Sequence, residues 1–377
     1  MPSPIRTALL LGVLLVSCKK SNDDAPRTAS LKHEVGGFAP QGGLVDFAVA
    51  NLDTANPFSG AAPVLLSGGI VIRYTEVSSA RLTGIALVDP LAPIGPLRLE
   101  LSAQNSRGEQ VTFFSAPDDP MAPLISLASS PLRLAPDIAA PNEAIAAPRQ
   151  VNLYKVAVPA ENQIVLLSFG TVGASLRTTS GSRLVGAMAP TSGKFAEGMT
   201  FETTFDSLAG SSTGVGFAPL AGEAYVAIYT SDLSGGPSEY NYSLRAAFAN
   251  GTKFSMAEPK VPDAPATPLA AIELDGPAYA VDGAIDNRDD ADYVLFTVKT
   301  PGRVFVQATP IGGGGPLNVS LFGNDPGTAS CTAYVGGGLG TTQAELRAIA
   351  DTTYCARVNS TTPLTMKYRL VVTPEAR

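Results

Sequence analysis

The chain has 377 residues, 26 Lys and Arg against 33 Asp and Glu, and a formal net charge of −7, with no Trp and a single His. An acidic balance argues against nucleic acid, which rewards basic patches, and one histidine excludes a folded Ser-His-Asp or Cys-His nucleophile system as well as multi-histidine zinc sites. The hydrophobic fraction of 45% is Ala, Val and Leu interrupted by 37 Gly and 31 Pro, a composition that favours many short strands and turns over long helices.

The chain opens on MPSPIR, whose one charged side chain is Arg6, followed by an apolar run from Ala8 to Val16 and then Ser17 and Cys18. A charged start, a short apolar stretch and small residues at its end describe a secretory signal. The run falls short of the roughly 20 residues a membrane-crossing helix needs. Leu15-Val16-Ser17-Cys18 resembles the lipobox of bacterial lipoproteins. That resemblance implies cleavage before Cys18, acylation of its thiol and of the new amino terminus, and, because Lys19 rather than Asp follows, delivery to the outer membrane. Each buried methylene of such chains contributes about 0.8 kcal/mol, so two or more give stable attachment. The partner implied here is the membrane, reached through the lipid. The other reading is an ordinary signal peptide with a Cys near its end.

Removing residues 1–17 leaves 360 residues and 25 basic against 33 acidic side chains, a length suited to two or three domains. Residues 18–34 read as the acylated Cys and a flexible tether, because Lys19 to about Ser30 offers no apolar residue larger than Ala or Pro; His33 lies in or beside it. A first domain is expected over 35–130. Ile70-Val71-Ile72-Arg73-Tyr74 and Leu82 to Val88 read as strands, and Leu97 to Ser102 alternates apolar and polar, a strand with one face buried. Gly69 to Leu101 is similar to part of an IPT/TIG-type immunoglobulin-like domain.

Residues 131–147, rich in Ala and Pro, read as a linker merging into a strand. A second domain over 148–250 begins with Val151 to Val158, continues through Ile164 to Phe169, and closes with Ala224 to Tyr229 and Tyr240 to Arg245. Pro259, Pro262, Pro265 and Pro268 then recur every third residue, suited to a stiff extended linker over 251–269. A third domain over 270–377 repeats the grammar of the second, with Asp292 to Val298 standing for Val151 to Val158 and Lys367 to Val372 for Asn241 to Ala246. The Tyr225–Tyr242 spacing is 17 residues and Tyr354–Tyr368 is 14, which a duplicated module explains. The fold class is therefore all-β: tandem β-sandwiches, one immunoglobulin-like and two of a second kind.

The third domain, with its acidic run, D-Y-x-x-F-x-V at Asp292, G-x-V-x-V at Gly302, L-x-V-x-L at Leu317 and the closing Tyr354 and Tyr368 motifs, resembles the bacterial pre-peptidase C-terminal (PPC) domain. The second resembles it more weakly. The resemblance implies jelly-roll-like sandwiches without catalytic residues, found beside secreted peptidases and on other exported proteins, some binding Ca²⁺ or matrix polymers.

Three groups of residues could carry chemistry. Cys331 and Cys355, left over once Cys18 is acylated, form an even pair in an exported chain, where a disulfide is the natural reading. It would close a loop of about 25 residues and stabilise by around 3 kcal/mol on the chain-entropy account; two independent buried thiols are the alternative. Asp286, Asn287, Asp289, Asp290 and Asp292 could supply several oxygens to Ca²⁺, yet lack the EF-hand's Gly and terminal Glu, and a solvated turn entering a strand is the plainer reading. The tyrosines Tyr225, Tyr229, Tyr240, Tyr242, Tyr354 and Tyr368 read as sandwich packing rather than a binding stripe, and the runs Gly312–Gly315 and Gly336–Gly338 as turns. No catalytic residue and no other cofactor is expected. The functional expectation is a non-catalytic binding or scaffolding lipoprotein with an unidentified protein or polysaccharide partner; the alternatives are an accessory subunit that retains or presents a secreted peptidase or other exported enzyme, and a His-free glycoside hydrolase built on paired carboxylates.

Overall fold

The computed structural model describes residues 27–34, 38–60, 63–116, 118–127, 130–136, 138, 140–147, 149–171, 184–202, 211–230, 240–255, 272–274, 278–285, 290–311, 317–325, 330–338, 343–360 and 366–374. Among them the regular structure is strand throughout, apart from one 3-10 turn at Phe195–Glu197. No helix there is long and apolar enough to cross a membrane. The tandem β-sandwich architecture is what the alternating apolar runs and Gly/Pro punctuation call for.

The first sandwich is built from β1 (Arg27–His33), β2 (Ala39–Pro40), β3 (Leu44–Asn51), β4 (Val64–Leu65), β5 (Ile70–Val77), β6 (Arg81–Val88), β7 (Gly95–Leu97), β8 (Glu100–Gln104), β9 (Gln110–Ser115) and β10 (Ala122–Ile125). A seven-stranded sheet in the order β4-β8-β9-β1-β3-β6-β5 faces a three-stranded sheet β2-β10-β7. Leu31, Phe47, Leu82, Leu101 and Phe113 fill the space between, with the Phe58 and Phe113 rings 4.6 Å apart.

Part of the segment expected to be tether up to residue 34 is strand. Arg27 to His33 forms β1, parallel to β9 and antiparallel to β3, and buries Ala29 and Leu31. Composition misled because alternation, with Ala29 and Leu31 facing in and Ser30 and Lys32 out, needs few large side chains once two neighbouring strands supply the ladder. Leu97 to Ser102 also differs from one continuous strand. Leu97, Leu99 and Leu101 are all buried as the period requires, but β7 pairs with β10 in one sheet and β8 with β9 in the other. The chain changes sheets at Arg98-Leu99, where the Leu99 amide donates to the Ser115 hydroxyl at 2.9 Å and the Ser115 amide to the Leu99 carbonyl at 3.0 Å.

The second sandwich comprises β11 (Leu132–Leu134), β12 (Ala140–Ile145), β13 (Asn152–Val158), β14 (Gln163–Thr171), β15 (Leu184–Ala189), β16 (Met199–Glu202), β17 (Ser211–Ala218), β18 (Gly222–Thr230) and β19 (Tyr240–Ser255). The third comprises β20 (Ile272–Leu274), β21 (Ala278–Ile285), β22 (Ala291–Val298), β23 (Gly302–Pro310), β24 (Leu317–Asp325), β25 (Ser330–Gly338), β26 (Gln343–Ala348), β27 (Thr352–Ser360) and β28 (Met366–Pro374). Their five-stranded sheets have the same order, β11-β13-β18-β15-β16 and β20-β22-β27-β24-β25, each opening on a parallel pair. The repeat reaches single contacts. Asn152 Nδ2 donates to the Tyr242 hydroxyl at 2.8 Å, and at the matching position the Tyr368 hydroxyl donates to Asp292 Oδ2 at 2.7 Å.

The 131–147 segment contains β11 and β12, which pair with β13 and β19. Similarly, β19 runs five residues past position 250, and Gly251–Ser255 pairs in parallel with Ala278–Asp282 of β21. The other sheets of the two sandwiches thus merge into one, β17-β14-β19-β21-β28-β23-β26, with β12 beside β19. This sheet folds back on itself. Ile164, Leu166, Val215 and Phe217 of the second sandwich meet Ala278, Ala280, Phe305 and Val371 of the third in one buried cluster. The first sandwich is joined by a second apolar seam, in which Leu87, with the half-buried Leu44 and Val71, packs on Leu153, Val185, Ala187 and Tyr225. The prolines at 259, 262, 265 and 268 lie outside the described residues.

Candidate functional site

At the fold of the merged sheet lies a shallow cleft lined by Glu197, Gly198, Gly216, Phe217, Thr309 and Arg369, among others. Arg369 projects from β28 and is held by Asp282 on β21 through Nε at 2.6 Å and Nη2 at 3.0 Å, a two-pronged pairing that fixes the guanidinium plane. The guanidinium carbon sits 5.0 Å above the centre of the Phe217 ring. A Cβ on Gly216 would lie 2.7 Å from Met199 Sδ, so the absence of a side chain there lets the strands close. The cavity volume of the cleft is about 10 Å³, room for about one water and far below the roughly 300 Å³ at which ligand pockets begin. Its chemistry is that of a cation clamped between a carboxylate and an aromatic face.

Behind it, Gln307 on β23 is fully buried and ties the two sandwiches together. Its Oε1 accepts the Val215 amide of β17 at 2.7 Å, and its Nε2 donates to the Thr200 carbonyl at 3.1 Å. Gln343 Nε2 adds a bond to the Thr213 carbonyl. These side chains occupy backbone groups that β16 and β17, both edge strands, would otherwise leave open.

A comparable polar anchor sits in the seam between the first and second sandwiches. Asp89, directly after β6, is buried, and its Oδ1 accepts the Phe195 amide at 2.8 Å. Burial pushes its carboxyl up to about 6, an effect opposed by the Phe195 and Gly69 amides and by Lys194, and reinforced by Glu197.

Of the residues singled out in the sequence, Cys18, Asp286, Asn287 and Asp289 lie outside the described residues. Asp290 and Asp292 are both buried at the start of β22, and Asp292 takes the Tyr368 hydrogen bond. Among the described residues no group of three or more His, Cys, Asp or Glu is placed to hold a metal. Cys331 is on β25 and Cys355, fully buried, on β27, the strands on either side of β24; the Cys331 side chain lies outside the described residues. Tyr225, Tyr229, Tyr242, Tyr354 and Tyr368 are all buried. Tyr154 and Tyr242 share a 2.7 Å hydroxyl contact, and burial pushes Tyr242 up to about 12. The side chain of Tyr240 lies outside the described residues.

Gly336–Gly338 is not a turn but the end of β25, paired with Val319–Leu321. A Cβ at Gly336 would stand 2.9 Å from the Glu345 carbonyl, so glycine here admits a close backbone approach. Gly312–Gly315 lies outside the described residues. His33 closes β1 half-buried, with both ring nitrogens buried and without hydrogen-bond partners; burial lowers its pKa, opposed by the Asp119 charge. Asp89 and Gln307 carried no local signal, since an Asp before Pro90 reads as a turn and a Gln in an alternating strand as a solvent-facing position.

No family model matches the chain, and no curated protein matches it. Among solved structures it is similar to tripeptidyl peptidase 2, at 10% identity and a TM-score of 0.24, over 93% of this chain and 36% of that one. It is also similar to the GspB Siglec domain, at 13% identity and a TM-score of 0.20, over 30% of this chain and 65% of that one. A third is SGBP-B of the Bacteroides ovatus mixed-linkage glucan utilization locus, in complex with a mixed-linkage heptasaccharide, at 10% identity and a TM-score of 0.14, over 58% of this chain and 52% of that one. The chain therefore spans about a third of the peptidase and under two thirds of the other two, and likenesses at these scores place it in no family.

Proposed function

We propose that this chain is a non-catalytic lipoprotein, held by acylated Cys18 at the bacterial outer membrane, where its sandwiches bind or scaffold a protein or polysaccharide partner. The observation that carries the reading is the sequence Leu15-Val16-Ser17-Cys18 at the end of a short apolar run. With β1 starting at Arg27, eight residues separate Cys18 from the first sandwich. Two buried apolar seams join the three sandwiches, which suits a scaffold. The resemblance of the second and third sandwiches to PPC domains, and of the first to IPT/TIG domains, belongs to this proposal. The PPC resemblance also favours a second reading, an accessory role beside a secreted peptidase.

The test is labelling with palmitate in a bacterial host, followed by an affinity pull-down from envelope material. The full chain is expected to take up label and sediment with membranes, and Cys18→Ser to lose both. A Cys18→Ser chain that still partitions with membranes without label ends the anchor. Turnover of a glycoside panel, lost on changing one acid, ends the non-catalytic reading. The same proposal includes a Cys331–Cys355 disulfide: reduction should add two hydrogens to the mass and slow migration in a denaturing gel, and an unchanged mass rules the bridge out.

A further inference from the structure

The geometry points to the outward face of the three-stranded sheet β2-β10-β7 as a surface that lies against lipid, a second membrane contact beside the acyl anchor. It rests on the acylated Cys18 proposed above. Ala39, Leu97 and Leu124 turn inward and are buried. The pairing of Ala39 and Gly95 with Leu124, of Pro40 with Ile125 and of Pro96 with Pro123 sets the opposite face as Pro40, Pro96, Pro123 and Ile125, and the exposed Phe38 and Ile94 immediately precede β2 and β7. Every one is apolar. Phe38 is 70% exposed, Ile94 61% and Ile125 40%. Leu91, 53% exposed, extends the face to the seam with the second sandwich, where it lies against Gly193. A continuous apolar face of this kind marks an interaction surface rather than scattered surface leucines.

Three features select lipid as the occupant. First, Pro40 and Pro96 lie on the two edge strands and have no N–H to offer, so the sheet is not built to add a partner's strand. Second, the six outward side chains provide no charge and no hydrogen-bonding group. A specific protein interface carries about one hydrogen bond per 100–200 Å² and a polar rim, whereas hydrocarbon asks for neither. An acidic chain gains nothing from anionic headgroups, so apolar contact is what would hold it. Third, the reach is right. From Arg27 to His33 β1 rises about 20 Å at 3.3 Å per residue, the His33 amide there donates to Asp119, three residues ahead of β10, and the nine steps from Cys18 to Arg27 extend to about 30 Å. The tether is long enough for the first sandwich to lie on its side, with this face on the bilayer.

The chain has no Trp, so a single introduced one reports its own surroundings. Full-length acylated protein carrying Ile94→Trp, Phe38→Trp or, as a distant exposed control, Ile349→Trp is reconstituted into phosphatidylcholine vesicles with and without brominated acyl chains. Ile94→Trp and Phe38→Trp are expected to emit to the blue of the control and to lose at least half their intensity to brominated lipid, while Ile349→Trp is unaffected. Unshifted emission, or a blue shift without bromine quenching, overturns the proposal; in the second case, dependence on protein density identifies a second copy as the occupant. Palmitate content is measured on the same samples. Absence of acyl chain defeats the anchor, whereas quenching in such an unacylated sample leaves the face standing.

Discussion

Asp89→Asn is expected to make the protein more stable at neutral pH, an unusual result for removal of a charge that accepts a hydrogen bond. Burial pushes the Asp89 carboxyl up to about 6 from its ordinary value of 3.8, a difference that corresponds to ~3 kcal/mol. Below 3.8 the folded and unfolded chains both hold the proton and burial costs little. Between 3.8 and 6 the folded chain holds more protons, so stability falls as pH rises. Above 6 both states are ionised and the folded protein carries the full desolvation penalty. Asn keeps an oxygen for the Phe195 amide, donates as the protonated acid would, and never ionises. Urea unfolding should put the variant ahead by about 3 kcal/mol at pH 7.5, with the gap closing toward pH 4. A gap that does not change with pH, or a variant less stable at pH 7.5, would show that Asp89 is not held dry in the seam.

The opposite sign is expected for Gln307→Ala. Truncation leaves the buried Val215 amide and the Thr200 carbonyl without their partner, and an unsatisfied buried group costs about 1–3 kcal/mol. Gln307→Leu keeps the volume and loses the same bonds, so both variants should drop by about 2 kcal/mol or more. The Val215 amide should exchange with solvent faster in each, because β17 would then be held against the third sandwich only by the Gln343 bond to Thr213 and by apolar contact. A loss below about 0.5 kcal/mol, the range of ordinary surface substitutions, would mean that the merged sheet does not need the glutamine.

How much of this was legible beforehand depends on the kind of feature. Leu97, Leu99 and Leu101 announced by their period which side faces the core, and that held even where the strand itself did not. Period reports a face and is silent about the neighbour, so the change of sheet at Arg98-Leu99 went unseen. Arg27 to Ser30 read as tether because it offers no apolar residue larger than Ala, yet β3 and β9 bring the ladder and the rest of the core to Ala29 and Leu31. The polar anchors Asp89 and Gln307 were invisible for the same reason, since their partners lie 106 and 92 residues away in sequence.

By itself the sequence determined the all-β class, the buried side of most strands and the likeness of the second and third sandwiches, since these follow from alternation, turn residues and repeat, all local in the chain. Only the tertiary structure decided that β19 continues into the next sandwich, that the merged sheet folds on itself, and that β2-β10-β7 turns a wholly apolar face outward. Those depend on which distant backbones share hydrogen bonds and which surfaces are left uncovered once they do.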